Sequence, residues 1–323
     1  MQVRKHAWLL TNLFLTAALV GAGYFVVVFR QDIQDWWALR SYQPDAAITK
    51  IADETAMVGH ARDMFFVSNP KIEEAEAFNM HCSHTGEKTV VLGCYTGQRI
   101  YLFNVTDDRL DGVIEVTAAH EMLHAVYERL DPGEKTRVDA MIEAELPRVT
   151  DERLKGLIEM YAKSEPGEKL NEMHSILGTE YSNLSPDLET YYKQYFSDRS
   201  KVVGYAQKYQ GAFSASQVRI ADMEGRLTGL KEQIDTNTET LNKQKSEIDA
   251  QAAQLNQLRS SDPAEYNRQV PGYNAKVRAY NNLVVATRNL IAEYNQLVVE
   301  HNQEATTQNN LYHSLDSHYQ TVN

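Results

Sequence analysis

Apolar residues recur every seven positions through the last third of the chain, which is the spacing of a coiled-coil seam. The first set is Leu227, Ile234, Leu241, Ile248 and Leu255, and the alternate seam positions hold Leu230, Asn237, Gln244, Gln251 and Leu258. After breaks at 260–263 and 271–272, the second set is Val277, Val284, Ile291 and Val298, flanked by Leu283, Leu290 and Leu297. Two matching helices around a break predict a long antiparallel coiled-coil hairpin over residues 206–323.

Asparagine repeats at the same spacing on the second of these helices. The column consists of Asn274, Asn281, Asn295, Asn302 and Asn309, with Arg288 in the remaining position. One interpretation is a buried ladder of amides that fixes helix register or the choice of partner. The other is a solvated flank of the hairpin, and the pattern does not choose between them. Either way, the arm is suited to self-association or to a coiled-coil partner.

Short apolar runs bounded by glycine, proline or aspartate predict three β-strands in the middle of the chain. They are Met64–Val67, Thr89–Tyr95 and Arg99–Val105. Helices are predicted after Pro44 and, from start signals that contain proline, at 131–134 and 185–187. The pattern predicts an α+β fold, in which a small sheet and several helices form a domain over residues 31–205.

The N-terminus predicts a membrane anchor. An uncharged apolar stretch over residues 7–29 follows Arg4 and Lys5 and is long enough to cross a bilayer with some tilt. Residues 21–23 offer a small-residue cleavage site, but the apolar run continues past it, which favours an uncleaved transmembrane helix over residues 1–30. The basic residues before it predict a cytoplasmic N-terminus, with the bulk of the chain extracytoplasmic.

Composition narrows the possible partners. The chain has 323 residues and a net charge of −12, so it is long enough for more than one structural unit and is not expected to bind nucleic acid. Its two cysteines, Cys82 and Cys94, lie close together in a domain predicted to be exported, which predicts one disulfide. A competing metal site from these cysteines with His81 and His84 matches no zinc-binding spacing.

Residues 120–124 form the motif HExxH. On a helix, His120 and His124 lie one turn apart on the same face, so both imidazoles can reach one metal ion. Glu121 lies beside them, where it can polarise a water molecule without binding the metal. The motif predicts a catalytic zinc site, in which three protein ligands leave one coordination position for water. The alternative is a helix whose two histidines bind no metal.

The sequence offers two glutamates as candidates for the third metal ligand. Leu130 stands where the three-histidine form of the motif needs a histidine, so a downstream glutamate is expected instead. Residues 171–175 read Asn-Glu-x-x-Ser, which favours Glu172. The competitor, Glu180, lies about 12 Å further along a straight helix, so only one of the two can bind the metal. Gly178 is expected to end or bend this helix.

Residues 60–200 resemble a gluzincin-type zinc metallopeptidase domain, in which the HExxH histidines and a later glutamate bind zinc. The resemblance rests on HExxH and on Asn-Glu-x-x-Ser, and the chain lacks the aspartate expected after Ser175. It implies a peptide or protein substrate, Zn²⁺ bound by three ligands, a general base, and a donor to the oxyanion. The residues implied are His120, His124 and Glu172 (or Glu180) as ligands, Glu121 as base, and His174 or Tyr181 as donor.

Together these patterns predict a membrane-anchored, extracytoplasmic zinc metallopeptidase with a coiled-coil arm. The alternative is a membrane-anchored coiled-coil scaffold whose metal site is structural or non-catalytic. A closed structural site needs a fourth protein ligand, and the sequence offers no evident one.

Overall fold

Helices make up most of this chain. The computed structural model describes residues 15, 16, 18–82 and 90–318 and is 79% helical. Residues 18–28 are helical. The further α-helices are α1 (Arg30–Ser41), α2 (Ala46–Glu54), α3 (Gly59–Val67), α4 (Ala75–Cys82), α5 (Val113–Arg129), α6 (Pro132–Glu145), α7 (Glu152–Ser164), α8 (Lys169–Glu180), α9 (Pro186–Tyr192), α10 (Arg199–Ser261) and α11 (Pro263–Leu315), with 3₁₀ turns at Asp108–Leu110 and Leu146–Arg148.

The described residues contain one small sheet of three short strands in the order β1-β3-β2. The strands are β1 (Lys71–Glu73), β2 (Gly93–Thr96) and β3 (Arg99–Phe103). β1 is parallel to β3 and β2 is antiparallel to it, so that Lys71 and Cys94 both lie opposite Tyr101. The predicted α+β class is therefore wrong: the described chain is a helical protein that carries a very small sheet.

One predicted strand is helical. Met64–Val67 forms the last turn of α3, where Ala61, Met64 and Phe65 are buried. These three positions have the i, i+3, i+4 spacing of one helix face, whereas the run of four apolar residues alone fits a strand equally well. The error arises because so short a run carries no usable periodicity.

The predicted transmembrane anchor is not supported. Within the described residues, no helix is both long enough and apolar enough to cross a bilayer. The predicted span covers residues 7–29, of which 7–14 and 17 lie outside the described residues.

The described residues of Met1–Gly211 and Tyr312–Asn323 form one compact unit. Its central helix is α5, which is buried along almost its whole length and packs against α3, α8, β2 and β3. A Cβ atom at Gly178 of α8 would lie 2.5 Å from Leu123 of α5 and 2.7 Å from Tyr192. Glycine is needed there for the close crossing of two helices, and α8 continues past it to Glu180, so the expected helix end is not found.

Residues Ala212–Leu311 form a second unit, made of the long parts of α10 and α11. The hydroxyl of Ser216 near its start donates to Glu304 near its end at 2.6 Å, and Glu224 lies 3.6 Å from His301. The two helices are therefore antiparallel. Leu230, Leu255 and Leu297 are buried. On α10 the predicted repeat therefore marks the packed face, whereas on α11 the flanking leucines mark it, since Val277, Val284 and Val298 are only half-buried and Ile291 is exposed.

Two details of this hairpin differ from expectation. Only Asp262 separates the helices, and its carboxylate accepts from the N–H of Glu265 at 3.0 Å. Pro271, which was expected to break the second helix, lies inside α11. The asparagine column is exposed in the single chain, so it does not form a buried ladder within the hairpin. Its exposed members are Asn274, Asn281, Arg288, Asn295, Asn302 and Asn309.

Candidate metal centre

The HExxH residues lie where the sequence places them, on one face of α5. The Nε2 atoms of His120 and His124 are 3.0 Å apart, and the two side chains are 19% and 10% exposed. Because α5 is otherwise buried on most sides, this turn opens to solvent only on the face that carries the imidazoles. Both rings are held in a nearly closed environment with their Nε2 atoms directed at a common point.

Glu172, from the first turn of α8, completes the group. Its two carboxylate oxygens lie 3.6 Å from the Nε2 atoms of His120 and His124, and the three ligand atoms are all within 4.8 Å of one another. Tetrahedral zinc with ligands near 2.0–2.1 Å needs edges of about 3.3 Å between ligand atoms. The separations found here, 3.0 Å between the two Nε2 atoms and 3.6 Å from each Nε2 atom to its nearer Glu172 oxygen, lie on either side of that value. His120, His124 and Glu172 can therefore hold a metal ion.

Glu180 is held away from this group. Its carboxylate accepts from Arg153 at 2.6 Å and from Gln210 at 2.8 Å. A carboxylate in two such hydrogen bonds on a later turn of α8 is a neighbour of the metal group and acts on it through its charge. Between the two glutamates that the sequence leaves open, the geometry brings Glu172 to the histidines.

Two further side chains orient the ligands. The Nδ1 atom of His124 is 2.9 Å from Oδ1 of Asn171, so His124 donates there and keeps the lone pair of Nε2 free for a metal. The hydroxyl of Tyr161, on α7, hydrogen-bonds to the Glu172 carboxylate. Asn171 adjoins the predicted ligand and could have been named from the Asn-Glu pattern. Tyr161 carries no sequence signal, because only the packing of α7 on α8 brings it to the site.

Burial and the nearby carboxylates give the two histidines opposite proton affinities. Burial disfavours the charged form of His120, but the hydrogen bond to Glu172 and the charges of Glu121, Glu172 and Glu180 outweigh it and raise its pKa to about 9. Burial, with the neighbouring charge of His120, lowers the pKa of His124 to about 4. Burial also works against ionisation of Glu172, yet the contacts with His120 and His124 lower its pKa. Without metal, a proton on His120 occupies the centre of the group.

Glu121 lines the clefts on both sides of the metal group. Its side chain is buried, and a Cβ atom at Gly93 of β2 would lie 2.9 Å from its Cγ atom and 3.0 Å from Oε1. Only glycine lets the strand approach this carboxylate so closely. Glu121 is therefore fixed between α5 and the edge strand of the sheet, beside the ligands and in the wall of both clefts.

The two clefts differ in chemistry. The larger, of about 520 Å³, is walled by β2 and by carboxylates: Glu121, Glu128, Glu165, Glu168 and Glu172. The smaller, of about 270 Å³, lies beside His120 and has a mainly apolar wall: Val90, Leu92, Val116, Leu157, Ile176, Tyr209 and Leu315. Leu315 reaches this wall from the far end of the chain, where Ser317 and Asn79 exchange hydrogen bonds of 2.7 and 2.8 Å.

The predicted oxyanion donors lie elsewhere. His174 is fully buried, and its Nε2 atom is 2.8 Å from the hydroxyl of Tyr191. Tyr181 donates to the backbone carbonyl of Arg148 at 3.3 Å. The guanidinium of Arg153 instead lines the smaller cleft together with His120 and Glu172. This cation was not named from the sequence, because nothing in the pattern links α7 to the HExxH helix.

The predicted disulfide is confirmed. Cys82 and Cys94 are bonded, with their Cα atoms 5.8 Å apart. The bond ties α4 to β2, and Cys94 lines the larger cleft next to Gly93. His81 is not part of a metal site with these cysteines: its ring stacks on Tyr101 and its Nδ1 atom lies 2.8 Å from Glu73. His84 lies outside the described residues.

Comparison with protein-family models, with curated proteins and with solved structures finds no match to this chain. The chemistry that this chain can perform is therefore inferred from the residues of the metal group and the clefts. Two imidazoles and one carboxylate supply three ligands, and within the described residues no fourth histidine, cysteine or acidic side chain joins the group. Three ligands leave one coordination position of a tetrahedral metal unfilled by the protein, and the Glu121 carboxylate lines the clefts beside this group.

Proposed function

We propose that this protein is a zinc-dependent peptidase whose metal is held by His120, His124 and Glu172. The observation that carries the proposal is the position of Glu121, a carboxylate beside a three-ligand metal group at the junction of two clefts. Two nitrogens and one oxygen at these spacings suit zinc better than magnesium or calcium, which prefer oxygen ligands. When bound, zinc supplies a Lewis acid that polarises a carbonyl and acidifies water.

The chain's own residues supply the proton transfers and the orientation. Glu121 accepts a proton from the attacking water and then delivers it to the departing amine nitrogen, so that it ends the cycle ionised as it began. Asn171 holds His124 in the tautomer that presents Nε2. Arg153, which is paired with Glu180, lines the smaller cleft and is the donor that would stabilise the developing oxyanion.

A peptide is the substrate that best suits a metal group placed beside these two clefts. The edge strand β2 borders the larger cleft, and its Gly93–Thr96 backbone lies next to Glu121. The disulfide supports an oxidising compartment outside the cytoplasm as the place of action. The antiparallel hairpin of Ala212–Leu311 adds no group of metal-binding side chains among its described residues and serves another role.

Metal content and turnover test the proposal on the full chain. Elemental analysis should find one zinc per chain in wild type and in Glu180→Ala, and none in His120→Ala or Glu172→Ala. Glu121→Gln should keep the zinc and lose cleavage of a peptide library followed by mass spectrometry, whereas Glu143→Gln, on the exposed side of α6, should keep both. Folded wild type that takes up no zinc, or cleavage that survives in Glu121→Gln, contradicts the proposal.

A further inference from the structure

The exposed face of α11 has a second repeating pattern, which the hairpin does not use. The column Asn274, Asn281, Arg288, Asn295 and Asn302 is exposed throughout. Aliphatic residues flank it on both sides at the same spacing. On one side Val285, Ala292 and Val299 are exposed; on the other side Ile291 is exposed, and Val277, Val284 and Val298 are half-buried. Val285, Ile291 and Val299 are 56%, 41% and 55% exposed.

The hairpin does not cover the asparagine column. The most buried positions of α11 within the hairpin, Thr287 and Leu297, lie on a different face of the helix. A helix face that only meets water has no need of an amide at every seventh residue between two aliphatic columns, since any polar residue satisfies it. An amide both donates and accepts, so an asparagine is complementary to a second asparagine. Two copies of the column are therefore complementary to each other.

We propose that a second copy of this chain docks along this column, with the two α11 helices parallel and in register. In a parallel coiled coil, equivalent seam positions face each other, so Asn281 meets Asn281 of the second copy and Asn295 meets Asn295. From Asn274 to Asn302 the column is about 42 Å long at 1.5 Å per residue, which is enough for a specific interface. The aliphatic columns supply the buried area.

The composition of the column also sets the strength of this contact. Buried asparagines fix register but weaken a coiled coil relative to leucine, so the dimer is expected to be reversible. Arg288 faces its own equivalent in the parallel arrangement, and salt screens that repulsion. Dimerisation should therefore strengthen, rather than weaken, as the ionic strength rises.

Cysteine cross-linking of the full chain tests the register. The two native cysteines are bonded to each other, so an introduced cysteine is the only free thiol. Under mild oxidation, Asn281→Cys and Asn295→Cys should each form a cross-linked dimer with itself. Asn289→Cys, an exposed asparagine on another side of the same helix, is the matched control and should not. An antiparallel pair centred on Arg288 would instead link Asn281→Cys to Asn295→Cys in a mixture, and that result overturns the proposal.

Sedimentation equilibrium tests the interface without cysteines. Wild type should be in a monomer–dimer equilibrium, and Asn281→Asp with Asn295→Asp should shift it to monomer, because like charges then face each other. The control pair Asn282→Asp and Asn289→Asp adds the same charge on another face and should leave the equilibrium unchanged. A monomeric wild type, or equal effects of both pairs, overturns the proposal; so does a dimer that survives the first pair.

Discussion

Zinc binding should release close to one proton per chain at pH 7, and His120 is the source. Its pKa of about 9 leaves it almost fully protonated at pH 7, whereas His124, with a pKa of about 4, is already neutral. Zinc needs both rings neutral. The apparent affinity should therefore fall about tenfold for each pH unit below 9, which makes it about 100-fold weaker at pH 7 than above pH 9.

The measurement is a competition for zinc against a chelator of known affinity at each pH, with proton release from calorimetry in buffers of different ionisation enthalpy. Glu180→Gln sharpens the test, because Glu180 raises the pKa of His120 without being part of the metal group. That variant should move the pH dependence of zinc binding to lower pH, because the pKa of His120 falls when this negative charge is removed. Glu143→Gln should leave it unchanged. An affinity that stays flat from pH 7 to 9, with no proton released, would refute the reasoning.

The same proton affects the metal-free protein. The pKa of His120 is raised on folding above its ordinary value of 6.5, so the folded state gains stability as the pH falls toward 6.5 and loses it as the pH rises through 9. The pKa of His124 is lowered on folding, so its contribution has the opposite sign and is lost as the pH falls from 6.5 toward 4. The contribution of these two histidines to the free energy of unfolding of the zinc-free protein is therefore greatest near pH 6.5.

Changes at three places, Asn171, Gly93 and the disulfide, test how the site is held. Asn171→Leu should weaken zinc binding by about 10–100-fold in the chelator competition, and Asn171→Asp should restore most of it, because only an acceptor orients His124. Gly93→Ala should lower the unfolding free energy in urea by about 1–3 kcal/mol and reduce turnover, since its Cβ atom would lie 2.5 Å from Thr117, whereas Gly156→Ala on α7 meets nothing and should be neutral or stabilising. Reducing the Cys82–Cys94 disulfide should cost about 2–4 kcal/mol of unfolding free energy, measured in urea with and without dithiothreitol.

The parts of this molecule that the sequence predicts well are those with a long or chemically specific pattern. The heptad residues of the first long helix mark its packed face, and Asp131 begins α6 by accepting from the N–H of Gly133 and Glu134. Four residues at Met64–Val67 carry no such pattern, and they are helical. Pro271 also misleads: α11 continues through it, although a proline inside a helix removes one backbone hydrogen bond and crowds the preceding turn.

In the candidate site, too, the sequence predicts the residues that belong to a local motif and misses those that do not. His120 and His124 are local to one helix, so their spacing alone brings them together. Arg153 and Tyr161 come from α7 and reach the metal group only through tertiary packing, which no short motif encodes. The choice of Glu172 over Glu180 likewise depends on a partner distant in sequence, since Arg153 engages Glu180 and leaves Glu172 for the histidines.

Gly178 shows how the packing and the site depend on each other. α5 and α8 cross closely only because residue 178 has no side chain to meet Leu123 and Tyr192. Glu172 lies six residues earlier on α8, about 9 Å along the helix axis, and Leu123 directly precedes His124 on α5. A wider crossing would therefore separate the carboxylate from the imidazoles before any ligand was changed. The glycine that the sequence suggested as the end of a helix is the position that lets two helices share one metal.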